Sequence, residues 1–310
     1  MQLLPSLPYA EWRDTRDTLH LWTQIVGKVR LALTPLVNHW WNVPLYVSPH
    51  GLTTSAIATG ENRFEIEFDF INDVLRIRPD EGPEQTVELR PRTVADFYAA
   101  TMAALRAAGI HVQIWTTPCE IPDPIPFEHD TEHRSYDHEY ALRFWHALSW
   151  IERVLLEFRA RYVGKSSPVH FFWGSFDLAL TRFSGRRAPP IEANAIEREA
   201  YSHEVSSVGW WPGDARLERP SFYSYAAPEP PGFANAPITV PHAYYHPQLK
   251  GFYLDHDAVR EADDPEATLL EFCQQTYAAA ADLGHWPRGE LERETATHPE
   301  IHHEHMHASG

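Results

Sequence analysis

The chain has 310 residues, 43% of them hydrophobic, so it can bury one or two sizeable cores without disulfides or a structural metal. Lys and Arg total 26 against 43 Asp and Glu, and the formal charge of -17 would repel nucleic-acid phosphates and anionic lipids. Nucleic acid is therefore not expected as a partner.

The composition also bears on location and redox chemistry. No apolar run of about 18 residues is present, and the first residues combine acidic side chains with prolines, unlike a secretory signal. Cys119 and Cys273 are too few for a disulfide framework, a thiolate zinc site or an iron–sulfur cluster. We expect a cytoplasmic protein with no membrane partner.

Residues 1–117 predict an N-terminal α+β half. Apolar side chains from Leu19 to Leu36 recur at steps of three and four, which indicates a helix with one buried face. Thr93 and Asp96 predict the start of a second helix, which Gly109 ends. Strand-like segments lie at 42–48, 52–58, 64–70, 74–78, 85–89 and 112–115, and alternation of apolar and acidic residues over 64–70 predicts a sheet with one solvated face.

Residues 118–138 are rich in Pro, His, Asp and Glu, which predicts a linker. Residues 139–290 then repeat the order of the first half, with strand-like segments from 170 to 255 and a closing helix that begins at Asp264 and Pro265. We predict an α+β fold of two similar helix–antiparallel sheet–helix halves packed together. An internal duplication would explain two similarities between the halves. Residues 19–22 resemble 142–145 at the start of a helix, and residues 39–42 resemble 170–173 at the predicted start of each first strand.

Between residues 170 and 233 aromatic side chains are mixed with polar ones. A buried polar group without a partner costs about 1–3 kcal/mol, so polar groups that converge among aromatic rings are typical of a small-molecule pocket. The residues expected to bind the ligand are Trp173, Ser175, Arg182, Arg186, Trp211, Tyr223, Tyr225 and Glu229. Prolines within 228–231 favour a loop beside the sheet.

Three segments of this region are distinctive: HFFWGSFDLALTRFSGR, AYSHEVSSVGWWPG and SFYSYAAPEPPGF. With the opening LPYAEWRDTRDTLHLWTQIVGKVRLAL, they resemble a bacterial family described only as domain of unknown function 5996. The resemblance covers nearly the whole chain. It implies no activity and no catalytic or binding residue.

Four residues are the candidates for catalysis: His170, Asp177, His203 and Glu204. His170, His203 and Glu204 supply the donors of a two-His, one-carboxylate site for a divalent metal. The HEVSS segment lacks the HExxH spacing of a zincin, so only the fold can bring these donors together.

Two interpretations need no metal. His203 with Glu204, or His170 with Asp177, would pair as base and orienting group, while an arginine at 182 or 186 receives an anionic substrate. The structural interpretation is that Asp177 and the arginine at 182 form an internal ion pair.

Residues 291–310 predict a disordered His-rich tail. Its imidazoles, including His302, His303 and His305, either chelate a metal or belong to a polar terminus without a role.

The favoured function is an enzyme that acts on a small polar or anionic molecule in an aromatic pocket of the C-terminal half, with metal dependence left open. One alternative is a non-catalytic small-molecule binding or sensor protein, and another is metal binding or trafficking through the tail. Neither GxGxxG nor GxxxxGK[ST] occurs, so the usual phosphate cradles of nucleotide enzymes are missing. The sequence does not indicate an oligomeric state.

Overall fold

The computed structural model describes residues 3–60 and 62–293, an α+β fold with one antiparallel six-stranded sheet in each half. The helices in these residues are α1 (Tyr9–Leu33), α2 (Val94–Ala107), α3 (His138–Ala160), α4 (Ala195–Ala200), α5 (His256–Arg260), α6 (Pro265–Leu283) and α7 (Arg288–Leu291). The strands are β1 (Tyr46–Val47), β2 (Gly51–Thr53), β3 (Ile57–Thr59), β4 (Asn62–Asp69), β5 (Val74–Pro79), β6 (Gln85–Glu88), β7 (His170–Phe172), β8 (Asp177–Arg187), β9 (His203–Trp211), β10 (Ser221–Ala227), β11 (Tyr244–His246) and β12 (Gly251–Asp255).

The two sheets have closely similar strand orders. The N-terminal sheet runs β1-β2-β4-β5-β6, with β3 also paired to β4, and the C-terminal sheet runs β7-β8-β9-β10-β12-β11. A long helix precedes each sheet and another follows it, which confirms the predicted order of helix, sheet and helix in both halves. An internal duplication stays a prediction.

Local sequence signals account for the helix starts. Thr93 Oγ1 accepts a hydrogen bond from the Asp96 N–H at 3.0 Å, which satisfies a donor of the first turn of α2. Asp264 caps α6 in the same way at 3.0 Å, with Pro265 at the first helical position. Both predicted caps are confirmed.

One predicted strand is not formed, and another begins later than expected. Residues 112–115 have no strand partner. Residues 39–42, expected to open the first strand, instead contain the turn Asn38–Trp40, in which His39 has a left-handed φ of 58°. The similar segments 39–42 and 170–173 therefore have different structures. The first is a turn, because β1 begins only at Tyr46, whereas the second begins strand β7.

The halves share one hydrophobic core. Phe144 of α3 lies at its centre, with ring centroids 6.4 Å from Phe70 in the N-terminal half and 5.9 Å from Phe171 in the C-terminal half. Leu45 and Phe171 also exchange two backbone hydrogen bonds of 2.8 and 2.7 Å, which join the first strands of the two sheets. Burying these large aromatic side chains contributes strongly to the stability of both halves at once.

The segment 118–138 is packed against the fold where the sequence predicted a solvated linker. Phe127 and Asp130 are buried, and the Asp130 carbonyl accepts from the Ala95 N–H of α2 at 3.0 Å. Across 3–60 and 62–293, none of the helices has the length and apolar character that crossing a bilayer requires.

Candidate functional site

The C-terminal sheet has one face in the core and an outer face that carries hydroxyl, carboxyl and aromatic groups. Because side chains alternate along a strand, Leu178 and Trp210 point into the core, while the neighbouring Asp177 and Trp211 point outward. The register places Tyr223 opposite Tyr253 on this outer face, with Tyr225 further along β10. We use the name carboxylate site for the group formed by Asp177, Ser175, Tyr223, Tyr225 and the carboxyl of Glu120.

Asp177, the first residue of β8, is held by two hydroxyl groups. Ser175 Oγ donates to its Oδ1 at 2.5 Å, and the Tyr223 hydroxyl donates to its Oδ2 through a short hydrogen bond. Burial raises the pKa of Asp177, and the two donors only partly offset this because they favour the ionised form. No arginine or lysine in the described residues forms an ion pair with this carboxyl.

A glycine makes the bond between Tyr223 and Asp177 possible. Gly209 lies beside Tyr223 in the sheet, and a Cβ at this position would overlap the Tyr223 hydroxyl and the Leu178 carbonyl. The phenol can therefore cross the strand at 209 and reach Asp177, because this residue has no side chain.

Glu120 supplies a second carboxyl from the segment 118–138, which the sequence predicts to be a linker. Its Oε1 lies over Gly174, where an added Cβ would be only 2.7 Å away. Glu120 is accessible to solvent. Burial, followed by the charge of Asp177, raises the pKa of Glu120 to about 6.

Helix α1 of the N-terminal half fixes both loops of the carboxylate site. Gln24 accepts from the Cys119 N–H and donates to the Cys119 carbonyl, both at 2.9 Å. His20 Nε2 lies 2.8 Å from the Gly174 carbonyl oxygen, and its ring packs 4.9 Å from Phe176.

The residues that these contacts hold have strained backbones. Glu120 and Phe176 have φ values of 56° and 59°, a left-handed conformation that side chains other than glycine rarely adopt. Such strain persists only where surrounding contacts impose it, and it is concentrated at functional sites.

Aromatic rings line the rest of the outer face. Tyr225 stacks on Tyr223 with centroids 6.0 Å apart, and its hydroxyl lies 3.3 Å from that of Tyr201, just after α4. Burial raises the pKa of Tyr253 to about 12, so its hydroxyl stays protonated at neutral pH. The Arg216 guanidinium packs 5.1 Å from the Trp211 ring and pairs with Asp214 at 2.8 Å.

A family model described as "Family of unknown function (DUF5996)" matches residues 4–293. The chain belongs to this family. The match covers both halves and confirms the resemblance found in the three sequence segments. No curated protein and no solved structure matches the chain.

Two arginines that were expected in the pocket of this DUF5996 protein lie elsewhere. Arg182 points into the core, where its guanidinium packs 3.4 Å from the Phe158 ring centroid and 4.3 Å from that of Tyr277. Burial lowers the pKa of Arg182 to about 10. The Asp177–Arg182 ion pair of the structural interpretation is not formed, because the two side chains are on opposite faces of β8.

Arg186 and Glu204 form an ion pair with each other at the end of the sheet. Arg186 Nη2 lies 2.7 Å from Glu204 Oε2, which also accepts from Ser184 Oγ at 2.8 Å. Arg186 Nη2 donates to the Gly284 carbonyl at 2.5 Å as well, after the last turn of α6. Neither residue reaches the carboxylate site, so an anionic substrate cannot be received there by the expected arginines.

Neither candidate histidine forms a hydrogen bond with the carboxyl that was expected to pair with it. His170 is buried against Phe172, with ring centroids 4.6 Å apart, and both of its ring nitrogens lack hydrogen-bond partners. Burial lowers its pKa to about 3, so it is neutral at physiological pH. His203 instead lies 5.5 Å from the His39 ring, at the opposite end of the sheet from Asp177.

This arrangement corrects the predicted metal site. His170, His203 and Glu204 each have separate neighbours, and no group of three or more His, Cys, Asp or Glu side chains in the described part of the chain is placed to hold a metal ion. His302, His303 and His305 of the tail lie outside the described residues.

Trp173 and Glu229, also expected to bind the ligand, have structural partners. Trp173 is buried against α1 and donates from Nε1 to the Val43 carbonyl at 2.8 Å. Glu229 accepts from the Tyr245 hydroxyl at 2.6 Å, and Tyr245 lies on the core side of the sheet. The structure thus brings together Ser175, Asp177, Trp211, Tyr223 and Tyr225 of the predicted residues and adds Glu120, Tyr201 and Tyr253.

Proposed function

We propose that this protein is an enzyme that transfers protons on a small polar molecule bound at the carboxylate site. The observation that carries the proposal is the pair of carboxyls, Asp177 and Glu120, which lie beside an aromatic wall with raised pKa values and no ion-pair partner in the described residues. Neighbouring carboxyls with raised pKa values are often the groups of general acid–base catalysis.

The two carboxyls have different roles in this proposal. Glu120 is accessible, and a pKa of about 6 lets it hold or release a proton near neutral pH. Asp177 accepts hydrogen bonds from Ser175 and Tyr223, which fix its orientation. It therefore acts as a positioned carboxylate that holds a donor group of the substrate while Glu120 exchanges the proton.

The charge of the site narrows the substrate class. Asp177 and Glu120 repel anions, and the nearby Arg216 is already paired with Asp214. Tyrosine and tryptophan faces attract cations and pack against the apolar faces of sugars. We therefore favour a neutral or cationic molecule with hydroxyl or amino groups over the anionic substrate that the sequence suggested.

The reaction is proposed to take place in the cytoplasm. Cys119 and Cys273 are both free thiols, which agrees with a reducing compartment.

The first experiment screens the wild-type protein by thermal shift against a panel of sugars, amino sugars, amines and amino alcohols, and then follows each stabilising compound by NMR for conversion. We expect at least one compound to bind and react. Asp177→Asn and Glu120→Gln should each slow that reaction by about 100-fold or more, the usual size of a lost general acid or base.

Glu65→Gln is the matched control, because Glu65 lies on the outer face of the N-terminal sheet and pairs with Arg78 at 3.2 Å. Its rate should equal that of the wild type. Binding without conversion would favour the alternative of a non-catalytic binding or sensor protein. Conversion that survives both carboxyl substitutions would refute the assignment of the carboxylate site.

A further inference from the structure

A cavity lies in the N-terminal half, away from the carboxylate site. It has a volume of about 830 Å³ and is bounded by the first turns of α1, the start of α2 and residues 134–137 just before α3. Such a volume suits a small organic ligand. We call it the arginine cavity, because Arg13, Arg90, Arg92 and Arg134 line it.

Two of these arginines have carboxylate partners and two do not. Arg13 pairs with Asp14 at 3.3 Å, and Arg90 pairs with Glu88 at 2.8 Å. Arg92 and Arg134 form no ion pair within residues 3–60 and 62–293. Their backbones meet where the Arg92 N–H donates to the Arg134 carbonyl at 3.1 Å, and both residues line the same cavity.

Arg92 is the more constrained of the two free guanidinium groups. Its Nη2 donates to the Asp96 carbonyl at 3.1 Å, whereas its Nε is buried without an acceptor. Burial, followed by the charge of Arg90, lowers the pKa of Arg92. A buried donor without an acceptor costs about 1–3 kcal/mol, and a bound oxyanion would remove that cost.

The carboxylates that line the arginine cavity are mostly engaged. Glu11 accepts from the Tyr140 hydroxyl, and Asp137 accepts from the Tyr140 N–H at 3.1 Å as the N-cap of α3. Only Asp14 forms an ion pair, with the arginine at position 13, whereas Glu11, Asp96 and Asp137 are exposed and form none in the described chain.

The starts of α2 and α3 add the positive ends of two helix dipoles to the wall. Backbone donors of α2 are not available to a ligand, however. The Val94 and Ala95 N–H groups donate to the carbonyls of His133 and Asp130, both at 3.0 Å, and Thr93 accepts from the next N–H. Recognition therefore depends on the guanidinium groups.

We propose that the arginine cavity binds the phosphate group of a small organic phosphate, held by Arg92 and Arg134. A guanidinium group matches two oxygens of a phosphate, and these two residues line the same cavity. Four carboxylates line the cavity beside the four arginines, so recognition of phosphate rests on the two arginines that have no ion pair in the described residues. This site is separate from the carboxylate site and does not depend on the proposed enzyme activity.

The test uses pyrophosphate as the probe and isothermal titration calorimetry on the full chain, at constant ionic strength set with NaCl. Arg92→Gln and Arg134→Gln should each weaken pyrophosphate binding by about 10-fold or more, and the double variant should bind none at millimolar concentration. Arg106→Gln is the matched control, because Arg106 is exposed in the last turn of α2. Its affinity should not change.

Thermal unfolding without ligand shows whether the variants fold, and Arg92→Lys, which keeps the charge without the fork, should bind with intermediate affinity. Absence of binding to the wild type, or equal binding by the double variant, would overturn the proposal. Citrate that binds as tightly as pyrophosphate would overturn the assignment to phosphate.

Discussion

On the outer face of the N-terminal sheet, acidic side chains lie against arginines, whereas on the outer face of the C-terminal sheet Asp177 lies against hydroxyl groups. Asp69 pairs with Arg76 at 2.9 Å, and Glu67 pairs with Arg78 at 2.5 Å. Both arginines belong to β5, the fourth strand along its sheet. The fourth strand of the other sheet, β10, carries Tyr223 and Tyr225 on its outer face instead.

The carboxylates of the N-terminal sheet therefore stabilise the fold, whereas the ionised form of Asp177 destabilises it. Burial alone would raise the pKa of Asp69, but hydrogen bonds from Asn72 and Arg76 outweigh it and lower the pKa. For Asp177 burial prevails and the pKa is raised. Carboxyls that are kept in an unfavourable setting are expected where activity requires them.

The sharpest test of this comparison is the same substitution on both faces. Asp69→Asn should lower the free energy of unfolding by about 2 kcal/mol at pH 7, because the carboxylate accepts several hydrogen bonds in the folded state. Asp177→Asn should leave it unchanged or raise it. Urea unfolding of the three proteins measures both effects.

The contributions of Asp69 and Asp177 to stability should also depend on pH in opposite directions. The lowered pKa of Asp69 adds stability above its ordinary value of 3.8 that is lost as the pH falls through the folded value, so the Asp69→Asn deficit should shrink in acid. The stability lent by Asp177 is present below 3.8 and lost at higher pH. Equal losses for both variants at pH 7 would end the distinction between the faces.

A second prediction concerns Glu120 and is measured by NMR titration of its side-chain carboxyl. The wild-type group should titrate near pH 6, and Asp177→Asn should lower that pKa because the charge of Asp177 is its second cause. Asp69→Asn should not change it. The stability that the raised pKa contributes is full below the ordinary value of 4.5 and is lost as the pH rises through about 6, so Glu120→Gln should gain stability relative to wild type over this range.

The smallest expected effects come from the tyrosines. Tyr223→Phe removes a donor to buried Asp177 and should cost about 1–2 kcal/mol of unfolding free energy. Tyr225→Phe removes the 3.3 Å contact with Tyr201 and an interaction with Ser207, neither of which involves a buried carboxyl, and should cost less than about 1 kcal/mol. A larger cost for Tyr225→Phe in thermal or urea unfolding would contradict the central position given to Asp177.

Signals that act over a few residues predicted much of the fold. The caps at Thr93 and Asp264 are local, and both are confirmed. The alternation along β4 sends its apolar side chains to the core as predicted, but Glu67 and Asp69 on the other face are buried, where a solvated face was expected. The segment 112–115 fails because a strand needs a neighbour, which local sequence does not reveal.

The site was predicted in part for the same reason. Asp177, Tyr223 and Tyr225 share a face by strand alternation, but Glu120 reaches them only through the Gln24 contact with Cys119, which is 95 residues away along the chain. The sequence contained a signal against Arg182 as a ligand-binding residue. Strand alternation places it on the same face of β8 as the apolar Leu178 and Leu180, which predicts that it points into the core.

Helix α1 makes the two halves interdependent. A fragment that begins at residue 139 would keep Asp177 and its hydroxyl partners, yet it would lose Glu120 together with the Gln24 and His20 side chains that set the loops. Exchange of one half between family members would therefore preserve the reactive arrangement only if the α1 contacts were inherited along with it. Gene fission between the halves would demand that the two products reassemble before either could work.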